Sequence, residues 1–180
     1  MSKELQIDLN NIVLKSISLA DIEVIKNFKC GNSSIENFLI TEAFQTHILR
    51  EASTTLVYLD DELCGFFTLQ RLPLSFDTTT VVGLHDQHKY SLDIARLGVA
   101  SAFQKFGIGT FVINYVIDLA QKTNERFVTT DSVFEKWEWY RDRGFNYLIE
   151  SETKHDTTKG LVSMLLELYD EKFVSEFFDE

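Results

Sequence analysis

The chain has 180 residues, 44% of them hydrophobic, and a formal net charge of −11. That length and apolar share suit one folded domain spanning 1–180 and exclude a wholly disordered chain. The acidic balance argues against broad binding to nucleic acid or to an anionic membrane, because both need a basic face. Two cysteines, Cys30 and Cys64, make neither a metal-ligand spacing nor a disulfide framework, so reduced thiols and no metal centre are expected. The opening MSKELQIDLNNIV lacks a continuous apolar stretch, and no run approaches the length of a membrane span. A cytoplasmic chain without a membrane segment is the expectation.

Ile12 to Ile17 read as a first strand. Ser18 is placed to cap the helix that follows, with Asp21 three positions on as in a capping box and Leu19, Ile22 and Ile25 along one helical face. FKCGNSSIENFL repeats the device, with Ser33 and Glu36 as a second box and Ile35, Phe38 and Leu39 as the apolar stripe. TTLVYL and LCGFFTLQRL are two strands around a DDE turn, and Gly65 inside the second suggests a bulge or a close backbone approach. Residues 75–91 lack a period and read as a loop, which holds His85 and His88 as candidate acceptor-pocket residues. SLDIARLGV is a strand, QKFGIGT a turn with a long helix after it, and RFVTTD a short strand. SVFEKWEWYRDRG is a helix that Gly144 stops. FNYLIE and LVSMLLELY are strands, and the tail DEKFVSEFFDE is a short amphipathic helix. This order predicts an α/β fold, a mixed sheet of about six or seven strands with helices on both faces.

The stretch QKFGIGTFVINYVIDLAQ, residues 104–121, carries the chemistry. Val112, Ile113, Val116, Ile117 and Ala120 form a helix stripe, so the helix starts near Gly109. Backbone N–H groups from Lys105 to Thr110 then sit at the positive end of the helix dipole, a ready anion site. Gly107 and Gly109 let the backbone approach a phosphate without a Cβ in the way. A nucleotide-hydrolysing loop needs Gly-Lys-Ser/Thr here, whereas Thr110 and Phe111 follow Gly109. A dinucleotide fingerprint needs a third glycine, and that position is Val112.

The pattern Q-x-x-G-x-G after a strand ending in Leu97, Gly98 and Val99 resembles the acetyl-CoA site of the GCN5-related N-acetyltransferase (GNAT) family. The resemblance runs roughly from Val13 to Tyr169 and implies the family's mixed, splayed central sheet, the acyl-CoA N-acyltransferase fold. It implies that Gln104, Lys105, Phe106, Gly107, Ile108, Gly109 and Thr110 hold the coenzyme A pyrophosphate, and that Leu97, Gly98 and Val99 pair with the pantetheine arm. The Val99 N–H would polarise the thioester carbonyl, an oxyanion-type contact. WYRDRGF, residues 139–145, is similar to the family's late helix and puts Tyr140 on its tyrosine, the expected proton donor to the leaving thiolate. FKCGNSSIENFL is similar to the opening of a bacterial branch that includes tRNA-acetylating toxins. Two departures stand out. Ser132, Val133 and Phe134 occupy the neighbourhood where the family often carries an asparagine, and Lys105 and Phe106 fill turn positions where it often has glycine and a basic residue.

For a general base the residues offer Asp93, Asp131 and Glu51. Coenzyme A is anionic and so is this chain, so the helix start and Lys105 must attract it locally. Screening limits the global field to about 8–10 Å at physiological salt. The expected activity is acetyl transfer from acetyl-CoA to a primary amine of a small molecule, peptide or protein by direct attack. The alternatives are a toxin-like enzyme acting on aminoacyl-tRNA, which the charge opposes, and an acyl-CoA-binding regulator without catalysis. The apolar EKFVSEFF tail is a candidate to dock on a second copy, as a homodimer surface, or on the chain's own core.

Overall fold

The computed structural model of the chain describes residues 7–74, 89–147 and 160–178. The segment 75–88, with His85 and His88, lies outside them, as does the expected strand FNYLIE beyond Tyr147. Seven strands are ordered β1-β2-β3-β4-β5-β7-β6 in one open sheet. They are β1 (Ile12–Ser16), β2 (Ser53–Leu59), β3 (Glu62–Pro73), β4 (Tyr90–Val99), β5 (Phe127–Val133), β6 (Asn146–Tyr147) and β7 (Leu161–Glu167). Neighbours β1/β2, β2/β3, β5/β7 and β6/β7 pair antiparallel. Neighbours β4 and β5 are joined through α4 (Ile108–Lys122), the helical crossover that parallel neighbours require, so the sheet is mixed.

The chain divides into two compact units, one from the described parts of 1–70 and 94–115, the other from those of 71–93 and 116–180. In the first unit, α1 (Ile22–Ile25), α2 (Ser33–Thr41) and α3 (Ala43–Ile48) follow β1. Their core gathers Ile17, Ile25, Phe28, Phe38, Leu39, Ala43, Leu56 and Phe66. Phe28 meets Phe66 edge-on at 5.4 Å and Phe38 stacks on it at 6.5 Å. Burying each such ring contributes roughly 2–3 kcal/mol.

Local chemistry explains where two expectations shift. Asp21 does accept from the Ser18 N–H at 2.8 Å and the Ser18 hydroxyl at 2.6 Å. The helix that follows is a 3-10 turn and a single α-turn, too short for a full stripe, and Leu19 points out at 74% exposure. In α2 the cap is Asn32 rather than Ser33. Its side-chain oxygen accepts from the Ser34 and Ile35 N–H groups at 3.0 and 3.2 Å. Glu36 is thereby released for the Lys29–Gly31 strap described below.

Gly65 satisfies both readings offered for it. Val57 pairs with Gly65 and Tyr58 with Leu63, so Cys64 is the extra residue of a bulge. A Cβ on Gly65 would lie 2.8 Å from the Gly98 carbonyl oxygen, so β3 and β4 touch backbone to backbone there. The bulge turns the Cys64 carbonyl away from β2, and the Ala100 N–H takes it at 2.8 Å.

In the second unit, β5 runs further than RFVTTD suggests. Ser132 and Val133 pair with Val162 and Leu161 of β7, so they continue the strand instead of starting a helix. A 3-10 turn at Phe134–Lys136 then leads into α5 (Trp137–Arg141). Gly144 follows with φ +92°, as a helix stop requires. Phe127, Val128, Phe145, Val162 and Met164 are buried here. The tail forms α6 (Glu171–Phe178), with Phe173, Phe177 and Phe178 exposed.

Candidate active site

The glycine turn lies in the first unit. After β4 the chain makes a 3-10 turn at Ser101–Phe103 and reaches Gln104 in extended conformation. Lys105 then adopts φ +71° and Gly107 φ +90°. Left-handed residues alternating along a turn swing successive N–H groups to one side, the geometry of an anion-binding nest. The first ladder bond of α4 runs from the Phe111 N–H to the Gly107 carbonyl at 2.9 Å. Upstream of it, the Phe106 N–H closes the turn at Gln104–Lys105, while the N–H groups of Lys105, Gly107, Ile108 and Gly109 have no protein acceptor among the described residues. Lys105 and Phe106 are exposed, Gly107, Gly109 and Thr110 half-buried, and Ile108 is buried, anchoring the helix start. A run of unclaimed amides at the positive end of a 15-residue helix fits a pyrophosphate. A Cβ on Gly107 would meet only Leu9 Cδ1, at 3.3 Å, so what demands glycine there is the positive φ.

Leu97 and Val99 are half-buried on β4, and Gly98 between them is buried. A Cβ on Gly98 would come within 2.8 Å of Phe66 and 2.9 Å of Ile35, so the strand end is seated tightly on the core. Gln104 folds back on this end, its amide nitrogen donating to the Val99 carbonyl at 3.0 Å and to the Cys30 carbonyl at 2.8 Å. That side-chain role was not legible in advance, since Cys30 lies 74 positions away.

Tyr140 lies in the second unit, buried on α5. Its ring packs edge-on against Phe145 at 5.7 Å and Trp139 at 4.9 Å. Burial pushes its phenol up to about 12; the Asp93 carboxylate adds to the rise, while a hydrogen bond with Thr130 and the Arg143 charge oppose it. The phenol therefore holds its proton firmly at neutral pH, the state a proton donor needs. Thr130 belongs to this centre, and its signal was the period-two run Val128, Thr130, Ser132, which puts two polar residues on a buried strand face. Asp93 is also buried and accepts from the Thr129 hydroxyl at 2.9 Å, which in turn bonds Ser91 at 2.8 Å.

The other two carboxylates are placed differently. Asp131 is exposed and accepts from the Ser163 hydroxyl at 2.7 Å. Glu51 is exposed in the turn after α3. In the neighbourhood where the family often carries an asparagine, Ser132 is buried and donates to the Val133 carbonyl at 2.8 Å. No group of metal-ligating side chains occurs among the described residues, and no helix there is long and apolar enough to cross a membrane.

A family model described as "Acetyltransferase (GNAT) family" matches residues 23–145. No curated protein matches the chain in sequence. Among solved structures, a bacterial toxin superposes with a TM-score of 0.68 at 19% identity, covering 94% of this chain and 96% of that one. AtaTR bound with acetyl-CoA superposes at 0.65 and 14% identity, over 94% and 99%. AtaT complexed with acetyl-methionyl-tRNAfMet does so at 0.64 and 16% identity, over 93% and 99%. At such identities the likeness speaks for the fold.

Proposed function

The chain belongs to the acetyltransferase (GNAT) family and is an N-acetyltransferase that uses acetyl-CoA; on that premise we propose how its residues divide the work. Bound acetyl-CoA supplies an acetyl thioester whose carbonyl carbon an amine attacks, with the coenzyme A thiol as leaving group. The amides of Lys105 to Thr110 hold the pyrophosphate, helped by the dipole of α4 and the Lys105 charge. Leu97, Gly98 and Val99 pair with the pantetheine arm, and the Val99 N–H steadies the carbonyl oxygen as charge develops on it. Tyr140 gives its proton to the departing sulfur, and Asp93 takes the amine proton, directly or through water.

The observation that carries this reading is the set of unclaimed amides at Lys105 and at Gly107 to Gly109 ahead of α4. The acceptor we favour is a primary amine of a small molecule, peptide or protein, because the net charge of −11 suits no polyanion. A second reading, an aminoacyl-tRNA acceptor, draws on the FKCGNSSIENFL opening and on the superposition with AtaT in its acetyl-methionyl-tRNAfMet complex. We place the enzyme in a bacterial cytoplasm, with α6 as the surface on which a homodimer would form. Sedimentation of wild type and a Phe177→Ser variant tests the dimer.

Acetyl-labelled acetyl-CoA, the purified protein and a cell extract test the activity. Label in small molecules or protein supports the first acceptor class, and label in RNA supports the second. If no fraction gains label above a heat-killed control, the proposed roles fall.

A further inference from the structure

Gln104 opens the glycine turn, yet both protons of its amide nitrogen are used on the protein, on the carbonyls of Cys30 and Val99. The peptide after Val99 is thus held at both ends, its carbonyl by Gln104 and its N–H, on Ala100, by the Cys64 carbonyl. The peptide before Val99 has its Gly98 carbonyl pressed against Gly65. The backbone of Val99 is therefore gripped from both sides.

The other partner of Gln104 is also anchored. The Glu36 carboxylate accepts from the Cys30 N–H at 2.9 Å, the Gly31 N–H at 3.0 Å and the Lys29 ammonium at 3.0 Å. The Ser101 N–H donates to the Lys29 carbonyl at 2.8 Å. The strap Lys29–Gly31 is pinned to α2 on one side and to the strand-to-turn passage on the other.

We propose that Gln104 is a positioning residue of the transfer reaction. Its carboxamide fastens the end of β4 to the Lys29–Gly31 strap, so that the Val99 N–H keeps one direction while the acetyl group moves. The inference rests on the reading of Val99 as the thioester contact. A hydrogen bond weakens steeply as its angle departs from linear, and a donor aimed at developing charge matters more in the transition state than in the bound state. The loss on releasing Gln104 therefore falls on turnover and spares donor binding, which the turn amides carry.

The test compares full-length wild type with Gln104→Ala, Gln104→Glu and Gln104→Arg. The donor is acetyl-labelled acetyl-CoA, and the acceptor is the extract fraction that wild type labels. Alanine removes the donors, glutamate sets a carboxylate against two carbonyl oxygens, and arginine keeps N–H groups within reach. We expect kcat to fall about tenfold or more in the first two, with the acetyl-CoA Kd within about twofold of wild type, and arginine to recover most of the loss. Hydrogen exchange at the Ser101 amide should quicken in Gln104→Ala while the circular dichroism stays native. A Gln104→Ala enzyme with wild-type kcat, unchanged Ser101 exchange, or a Kd that worsens in step with kcat overturns this inference alone. Wild type that labels no fraction overturns the thioester reading and this inference with it.

Discussion

The turn at 104–110 and the surroundings of Tyr140 are built from opposite materials. The turn presents backbone, and two of its residues, Lys105 and Gly107, are held at positive φ. The tyrosine centre presents one side chain whose behaviour is set by burial, by Thr130 and by Asp93. A backbone site tolerates many side chains but few changes of dihedral. A side-chain site tolerates neither loss of the group nor a change in what surrounds it. Donor binding and proton transfer should therefore fail separately.

The largest separation is expected from Tyr140→Phe. Turnover should fall about a hundredfold or more while acetyl-CoA affinity stays within about twofold, because the proton is lost and the amides remain. Label transfer and calorimetry read the two quantities, and an affinity loss matching the loss of turnover would sink the proton-donor role.

The same tyrosine makes a prediction about stability. Its folded pKa of about 12 lies above the ordinary value of 10, so as pH climbs the unfolded chain releases this proton first. The resulting stabilisation is whole below pH ~10 and is lost between ~10 and ~12, about 2–3 kcal/mol across that window. Urea midpoints at both ends, for wild type minus Tyr140→Phe, isolate it. A difference that is flat across the window contradicts the buried phenol.

Gly107→Ala should do the reverse of Tyr140→Phe. A Cβ at φ +90° costs about 1–2 kcal/mol, so acetyl-CoA affinity should drop about tenfold, with turnover at saturation largely kept. Unchanged affinity would mean that the turn does not bind the donor. The smallest effect belongs to Lys105→Gly, which removes a charge at a φ glycine adopts freely. Affinity should fall about two- to fivefold at low salt, and the difference should fade at 1 M salt. A larger, salt-independent loss would assign Lys105 a direct bond rather than a field.

This contrast also explains what could be read from the sequence. The glycine turn was legible because its requirements are local: glycines at fixed spacing, a strand before and an apolar stripe after. The strand β4, the helix α4 and the Gly65 contact followed from the same kind of signal. Misplaced details were those decided by distant partners. Asn32 and Ser33 are both good caps, and the choice fell to Asn32 while Glu36 turned to the backbone of Cys30 and Gly31. Ser132 and Val133 stayed in β5 because β7 pairs with them from some thirty positions further along the chain. The Gln104 bridge depends on contacts that no local pattern encodes.

The two thiols have unequal surroundings, and that has a practical consequence. Cys64 is fully buried in the bulge, its Sγ on the Val57 carbonyl and its thiol pushed up to about 11 by burial. Cys30 is only half-buried, on the Lys29–Gly31 strap, with a thiol that burial raises more mildly. Toward a thiol-reactive dye the native protein should therefore count as a one-cysteine molecule, slow to label and stoichiometric. The attached fluorophore would sit beside the passage from β4 into the glycine turn, an optical reporter that needs no engineered cysteine.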